Sequence, residues 1–526
     1  MPIREPPRPE AELVLINARI WTPALEIPRK GAIAVGGGRV ISVGSDARCE
    51  SEATKDARVL DLNGCIALPG FVDAHAHLIH TGPRMSWIQL QNVRSKKQLL
   101  ATIAREGRKK RIHGWILGRG WDESKWPERN HPTRIELDTV AGGIPALLRR
   151  IDGHMSVVNT AALRVLRLPR RTLGFEHDAD GVPTGILRET ANDLAGHRTR
   201  PTVKDLEVGF SQMMKSAHRL GITAVHDVVD ARGMQAYQDL QRRGALGIRV
   251  NMMPLISLLP NLEKGELHLS FSGSWLRFGA LKAFSDGSLG ARTAALHEPY
   301  ADSSRTRGRL EHKAEALKRL VRRAHRAGFQ LGIHAIGDRA IDAVLDAYES
   351  ALAGETGDYR HRIEHFELPT EEALERCASL GIVPVMQPNF VVQWSQPGGM
   401  YEARLGPERT ARNNPHRLIL KKGLHLAFGS DGMPYGPIYG LRGAVLPPFP
   451  NQVVSLSQAL TAYSLGGARA SFGERTKGRL VPGALADITV IKGGWDGRGE
   501  CIRDWKVAAT IVGGRLVYRT SSVTEA

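Results

Sequence analysis

Between residues 203 and 475, stretches of helical period alternate with short apolar runs, and this alternation limits the fold more than any other feature of the chain. A helix-like stretch at 206–220 leads into Ile222-Thr-Ala-Val-His-Asp227. Another at 314–327 leads through Gly328 into 331–334, and a third at 371–380 leads through Gly381 into Ile382-Val-Pro-Val-Met-Gln387. The stretch 341–352 precedes 362–365. Glycine after a helix is the expected left-handed cap, and strand–helix alternation predicts a parallel sheet. Counting 71–77, 222–227, 248–253, 279–284, 330–334, 362–365, 382–387 and 424–430 gives eight strands. Eight such strands predict an α/β fold, a TIM-like (β/α)8 barrel, which needs about 250 residues and keeps its chemistry at the carboxyl ends of the strands.

The first of these strands ends in two histidines, in Leu68-Pro-Gly-Phe-Val-Asp-Ala-His-Ala-His77. Alternate side chains share a face of a strand, so His75 and His77 point the same way and can hold one metal ion between them. An isolated H-x-H pair is weak, since 19 histidines produce such pairs by chance. The pair gains weight because further strand ends each deliver one polar group of ligand type. These are Leu281-Lys-Ala-Phe-Ser-Asp286, Gln330-Leu-Gly-Ile-His334, Arg362-Ile-Glu-His365 and Leu426-Ala-Phe-Gly-Ser-Asp431.

At 526 residues the chain exceeds a barrel, and the excess falls in two places. Short β runs broken by glycine occupy 12–69 and recur at 486–492 and 507–518, so residues 1–69 and 476–526 are expected to close into one small β-sandwich domain. The barrel is assigned to 70–80 and 203–475. Residues 81–202 become an oversized insertion after the first barrel strand, expected as a lid or specificity wall over the active site. It holds Gly118-Arg-Gly-Trp-Asp-Glu-Ser-Lys-Trp126 and Arg150-Ile-Asp-Gly-His154.

Four scattered cysteines suggest neither a disulfide framework nor a thiolate zinc site. With no apolar leader and no run of transmembrane length, a cytoplasmic location without membrane contact is expected. The net charge of +18 raises the question of nucleic acid, and 81–202 alone carries 22 Lys/Arg against 12 Asp/Glu. No stacking-aromatic or recognition motif accompanies that charge, so a basic proteome background is the preferred explanation. The expected partner is a small-molecule substrate, with a homodimer left open.

These residues resemble the amidohydrolase superfamily of metal-dependent hydrolases, specifically the amidohydrolase family 3 branch of YtcJ-like proteins that includes N-substituted formamide deformylases. The resemblance runs from about residue 12 to 520. It rests on Pro69-Gly-Phe-Val-Asp-Ala-His-Ala-His77, Lys282-Ala-Phe-Ser-Asp-Gly-Ser-Leu-Gly290, His334-Ala-Ile-Gly-Asp338, Arg362-Ile-Glu-His365 and Ser430-Asp-Gly432. In the insertion it rests on Gly120-Trp-Asp122, Asp152-Gly-His154 and Gly181-Val-Pro-Thr-Gly-Ile-Leu-Arg-Glu189. It implies that His75, His77 and Asp431 hold one metal, that His334 and His365 hold a second, and that Lys282 bridges them as an N-carboxylated lysine. A desolvated, neutral lysine can react with carbon dioxide, and the carbamate is an anionic ligand.

Two divalent ions, zinc by preference with Mn2+, Co2+, Ni2+ or Fe2+ as options, lower the pKa of a bridging water and offer hydroxide near neutral pH. The expected reaction is hydrolysis of a non-peptide C–N bond of a small amide, formamide or cyclic amide, with Asp431 moving the proton from nucleophile to leaving nitrogen. His154, His226 and Asp286 are candidates for orienting substrate. Their structural alternatives are a core histidine bonded to a backbone carbonyl for His226 and a capping or loop carboxylate for Asp286. Trp121 and Trp126 equally suit a wall of the substrate pocket or a core of the insertion itself, and Trp121 and Asp122 are candidates for binding substrate. A deaminase of the same superfamily is the rival enzyme, and a non-catalytic basic scaffold or nucleic-acid-associated barrel is the rival of another class.

Overall fold

The computed structural model describes residues 10–151, 153, 155–265, 273–432, 435–496 and 498–526. The chain divides into two compact units, one formed by residues up to Leu78 together with Met213–Ala526, the other by Ile79–Gln212.

In the first unit the parallel strands fall into two sheets that follow chain order. Phe71–Ala76, Ile222–Val229, Arg249–Pro254 and Leu276–Phe278 form one sheet. Leu281–Phe284, Leu331–Ala335, Arg362–His365, Val383–Met386 and Ala427–Phe428 form the other. Most are buried along their whole length, as continuous apolar runs covered on both faces should be. The sheets adjoin at two seams: Leu255 bridges to Lys282 in parallel, and the Asp431 amide donates to the His75 carbonyl at 2.8 Å.

The strand expected at 279–284 is Leu281–Phe284, and a further short strand, Leu276–Phe278, precedes it in the other sheet. The changeover lies at Gly279, whose amide donates to the Met252 carbonyl at 2.7 Å. A Cβ there would stand 2.3 Å from Asn251 Nδ2, so only glycine allows that approach. Glycine also ends the helices as expected. Gly221, Gly328 and Gly381 follow Val203–Arg219, Ala314–Arg326 and Glu371–Ser379 with φ of +77°, +80° and +63°.

Strands from both ends of the chain share one nine-stranded sheet. Ile66–Pro69 pairs antiparallel with Ile488–Lys492, and Ala11–Ile20 pairs with Arg29–Gly36, Ala53–Asp61 and Ile66–Pro69, so the sheet forks. Leu13 and Leu15 face one core with Ile33, Ile488 and Ile511, while Val14 faces another with Ala34 and Cys49.

The second unit holds a seven-stranded sheet with a core on each face. Along Trp115–Trp121, Trp115 and Leu117 enter one core and Ile116 the other. Gly120, at φ +91°, coincides with a register slip against Arg149 and Arg150. The extra residue inverts the alternation and sends Trp121 into the core of Ile116. Among the described residues, no helix is long and apolar enough to cross a membrane.

Candidate metal centre

The site grows from one strand and one turn. Asp73 and His75 share a face of Phe71–Ala76, and Asp73 accepts from the Ser430 amide at 2.9 Å and its hydroxyl at 2.5 Å. That carboxylate fastens the strand to the Ser430–Asp431 turn; burial pushes its pKa up to about 7 despite the Ser430 bonds. Gly429 lets the turn close in, since a Cβ there would lie 2.4 Å from the His75 nitrogen. Asp431 then adopts φ +53°, a left-handed conformation that aspartate tolerates better than most residues.

This turn sets Asp431 Oδ1 at 2.9 Å from His77 Nε2 and 3.5 Å from His75 Nε2. All three ligand atoms lie within 4.8 Å of one another, the one group of that kind among the described residues. Burial raises the Asp431 carboxyl, but the hydrogen bond and charge of His77 outweigh it and hold the group well below the usual carboxylate range.

Opposite them, the ladder register arranges two rows of side chains. Lys282 pairs with Gly332 and Gly332 with Arg362; one step on, Phe284 pairs with His334 and His334 with Glu364. Residues two apart share a face, so Arg362 and Glu364 project together. The Arg362 Nε lies 2.8 Å from Glu364 Oε1 and its Nη2 donates to Oε2 at 3.0 Å. Glu364 in turn accepts from His75 Nδ1. Burial raises the Glu364 carboxyl, yet Arg362 and His75 together keep it well below its ordinary value. An ionised Glu364 fixes the hydrogen of His75 on Nδ1 and leaves the Nε2 lone pair facing Asp431. Burial, followed by the nearby Lys282 cation, pushes His75 down to about 4, so its imidazole stays neutral near pH 7.

His75 Nε2 and Lys282 Nζ are both buried without a hydrogen-bond partner. Two imidazole nitrogens and a carboxylate oxygen converging on one point suit a divalent cation far better than they suit one another. Burial lowers Lys282 to about 8, and its Nζ lies 4.8 Å from the centre of the Phe284 ring.

His365 sits at the end of Arg362–His365 with φ +74°, which turns the chain out of the strand and brings its ring to 5.0 Å from His75 and 4.5 Å from His334. Its Nδ1 meets Gln387 Oε1 at 2.7 Å. His334 Nε2 donates to the Gly287 carbonyl at 2.9 Å, so its other nitrogen is the one left for a ligand role. Neither histidine belongs to the three-residue group.

A family model described as the amidohydrolase family matches residues 58–518. The chain belongs to the amidohydrolase family. It is 30% identical to YtcJ of Bacillus subtilis over 95% of this chain and 98% of that one. It is 28% identical to the N-substituted formamide deformylase of Arthrobacter pascens over 97% and 99%. Among solved structures, an uncharacterized metal-dependent hydrolase from Pyrococcus furiosus matches with a TM-score of 0.79 and 30% identity, covering 90% of this chain and 97% of that one.

In this amidohydrolase the remaining sequence candidates occupy varied positions. His226 Nδ1 accepts from Arg362 Nη1 at 2.9 Å, so it is a buried neutral histidine behind the arginine, bonded to a guanidinium rather than to a carbonyl. Asp286 accepts from the amides of Ala295, Ile336 and Gly337 at 2.9, 3.1 and 3.0 Å, the work of a loop carboxylate, although Oδ1 also lies 3.3 Å from His334 Nε2. Trp121 has no exposed surface and donates to the Leu148 carbonyl at 3.1 Å; with Trp126 it serves the core of its own unit, the second of its two expected roles, and its place as a substrate-binding residue is corrected accordingly. Asp122 caps the short helix Glu123–Lys125 through the Ser124 amide, at 3.2 Å. His154 lies outside the described residues.

Glu364, Arg362 and Asp73 escape an inspection that looks for metal donors alone. The signal lies in their spacing, since each stands two residues from a neighbour with which it shares a strand face.

Proposed function

We propose that this amidohydrolase is a metal-dependent hydrolase that breaks a carbon–nitrogen bond other than a peptide bond, in a small amide, formamide or cyclic amide. The observation that carries the reading is the convergence of His75 Nε2, His77 Nε2 and Asp431 Oδ1 beside the unpartnered Lys282 amine. The bond class is supported by likeness, along nearly the whole chain, to an N-substituted formamide deformylase. The parallel strands fit a closed (β/α)8 barrel with the centre at their carboxyl ends.

His75, His77 and Asp431 would hold one divalent ion, with His334, His365 and Lys282 serving a second; zinc suits such donors, as do manganese, cobalt, nickel and iron. Bound there, a divalent ion supplies Lewis acidity and makes water a nucleophile at neutral pH. Lys282 is proposed to carry a carboxyl group: its neutral amine adds to carbon dioxide, a C–N bond forms, and one N–H proton leaves to solvent. Asp431 accepts the proton released as water adds to the carbonyl carbon and returns it to the departing nitrogen when the C–N bond breaks. Glu364 and Arg362 keep His75 in the neutral, Nδ1-protonated form throughout.

The test is elemental analysis of the purified protein together with a screen of N-formyl, N-acyl and cyclic amides. His75→Ala and Asp431→Asn are expected to lose bound metal and all turnover of any substrate found. Turnover retained in both variants overturns the assignment.

A further inference from the structure

At the opposite, amino-terminal ends of the parallel strands lies a cavity of about 230 Å³ lined by Arg39, Ser274, Arg277, Thr476, Lys477 and Leu485. It presents three cationic side chains, and among the described residues no acidic one lines it. Two carboxylates lie nearby, and each already receives an arginine. Asp487 receives both Arg249 Nε, at 2.6 Å, and Nη2, at 2.9 Å, and accepts from the Gly513 amide as well. Glu474 pairs with Arg360 through Oε1 at 2.9 Å, while its Oε2 is buried without a hydrogen-bond partner and its charge reaches Arg277.

Lys477 is only 8% exposed; its backbone amide donates to the Gly473 carbonyl at 3.0 Å, and its ammonium forms no hydrogen bond or ion pair with a side chain among the described residues. Burial, with Arg277 adding to it, pushes its pKa down to about 8, so the ammonium still predominates at neutral pH. Arg277 Nε is buried without a partner, and its Nη1 reaches only the Phe472 carbonyl, at 3.4 Å. A buried ammonium and a half-buried guanidinium without ion-pair partners are costly, and a counter-charge entering the cavity reduces that cost.

We propose that this cavity binds a tetrahedral oxyanion of the phosphate class, held by Arg277, Lys477 and Arg39 with Ser274 and Thr476 beside it. Guanidinium groups suit such an anion because their parallel N–H donors match its oxygen edge. The same chemistry serves free phosphate or the phosphate of a small phosphomonoester, and the two are separated by titration.

The experiment is calorimetric titration of the full-length, metal-loaded protein with inorganic phosphate and, separately, with glycerol phosphate, at ionic strength held constant with chloride. Saturable binding of one equivalent is expected, undiminished in His75→Ala, which separates this site from the metal centre. Arg277→Gln and Arg39→Gln should each weaken it about tenfold or more. Preference for glycerol phosphate would assign the ester, and preference for inorganic phosphate the free anion. Absence of saturable binding by either probe, or unchanged affinity in both variants, overturns the proposal. Because Arg39 is exposed, its variant decides even where Arg277→Gln does not fold.

Discussion

His75 and Glu364 meet in the interior through Nδ1 and a carboxylate oxygen, and neither side chain is exposed to solvent. They are 289 positions apart in the chain. The contact decides which imidazole nitrogen faces His77 and Asp431, so a metal held there as proposed would depend on a residue outside its own ligand set.

Glu364→Gln keeps the shape and removes the charge that favours hydrogen on His75 Nδ1. Metal affinity is expected to fall about 10–100-fold. Competition with a chromogenic chelator measures it, and affinity equal to the parent would show that Glu364 does not orient the ligand.

Arg362→Leu strands the Glu364 carboxylate in a fully buried place. Removing one partner of such a pair costs about 3–5 kcal/mol, whereas removing both is far milder. Denaturant unfolding of metal-free protein should therefore show Arg362→Leu as much less stable than the double variant Arg362→Leu, Glu364→Leu. Equal stability of the two would contradict a charge-stranding origin.

Gly332 offers a steric test of the same contact. A Cβ there would stand 2.7 Å from Glu364 Oε1 and 2.9 Å from Met253 Cε. Gly332→Ala is expected to cost about 1–3 kcal/mol and to loosen metal as Glu364 is displaced. A variant that retains metal like the parent argues that Glu364 has room to yield.

The pH dependence follows from His75, whose pKa is held near 4 in the fold against 6.5 for a free imidazole. Unfolding between those values takes up a proton, so this group's contribution is complete above about pH 6.5 and disappears as pH falls toward 4. Buried His365 and His226 are shifted in the same direction. Metal-free protein should lose thermal stability steadily from pH 7 to pH 4.5, and a flat profile would mean that these imidazoles are not buried neutral.

Lys282→Ala removes the amine proposed to carry the carboxyl group. Bound metal should fall, and a short carboxylate such as propionate, entering the vacated space, should restore part of it. No response to carboxylate, with carbon-13 bicarbonate leaving no carbamate resonance on the parent protein, would exclude that role.

Local sequence determined the strands and the donors. Period-2 and period-3.6 patterns, with glycine after the helices, are properties of a few neighbouring residues, so the alternation of helix and strand and the polar groups at the strand ends are legible in the chain alone. What those groups do was decided by tertiary structure. Gly279 marks where the chain passes from one sheet to the other, close against Asn251, and the bulge at Gly120 turns Trp121 into a core rather than toward a pocket. The left-handed φ of His365 brings its ring back toward His75, and the ladder register sets Glu364 within reach of His75. Each outcome depends on contacts between residues far apart in sequence, and a hydrogen bond or a steric limit of that kind has no local period to reveal it.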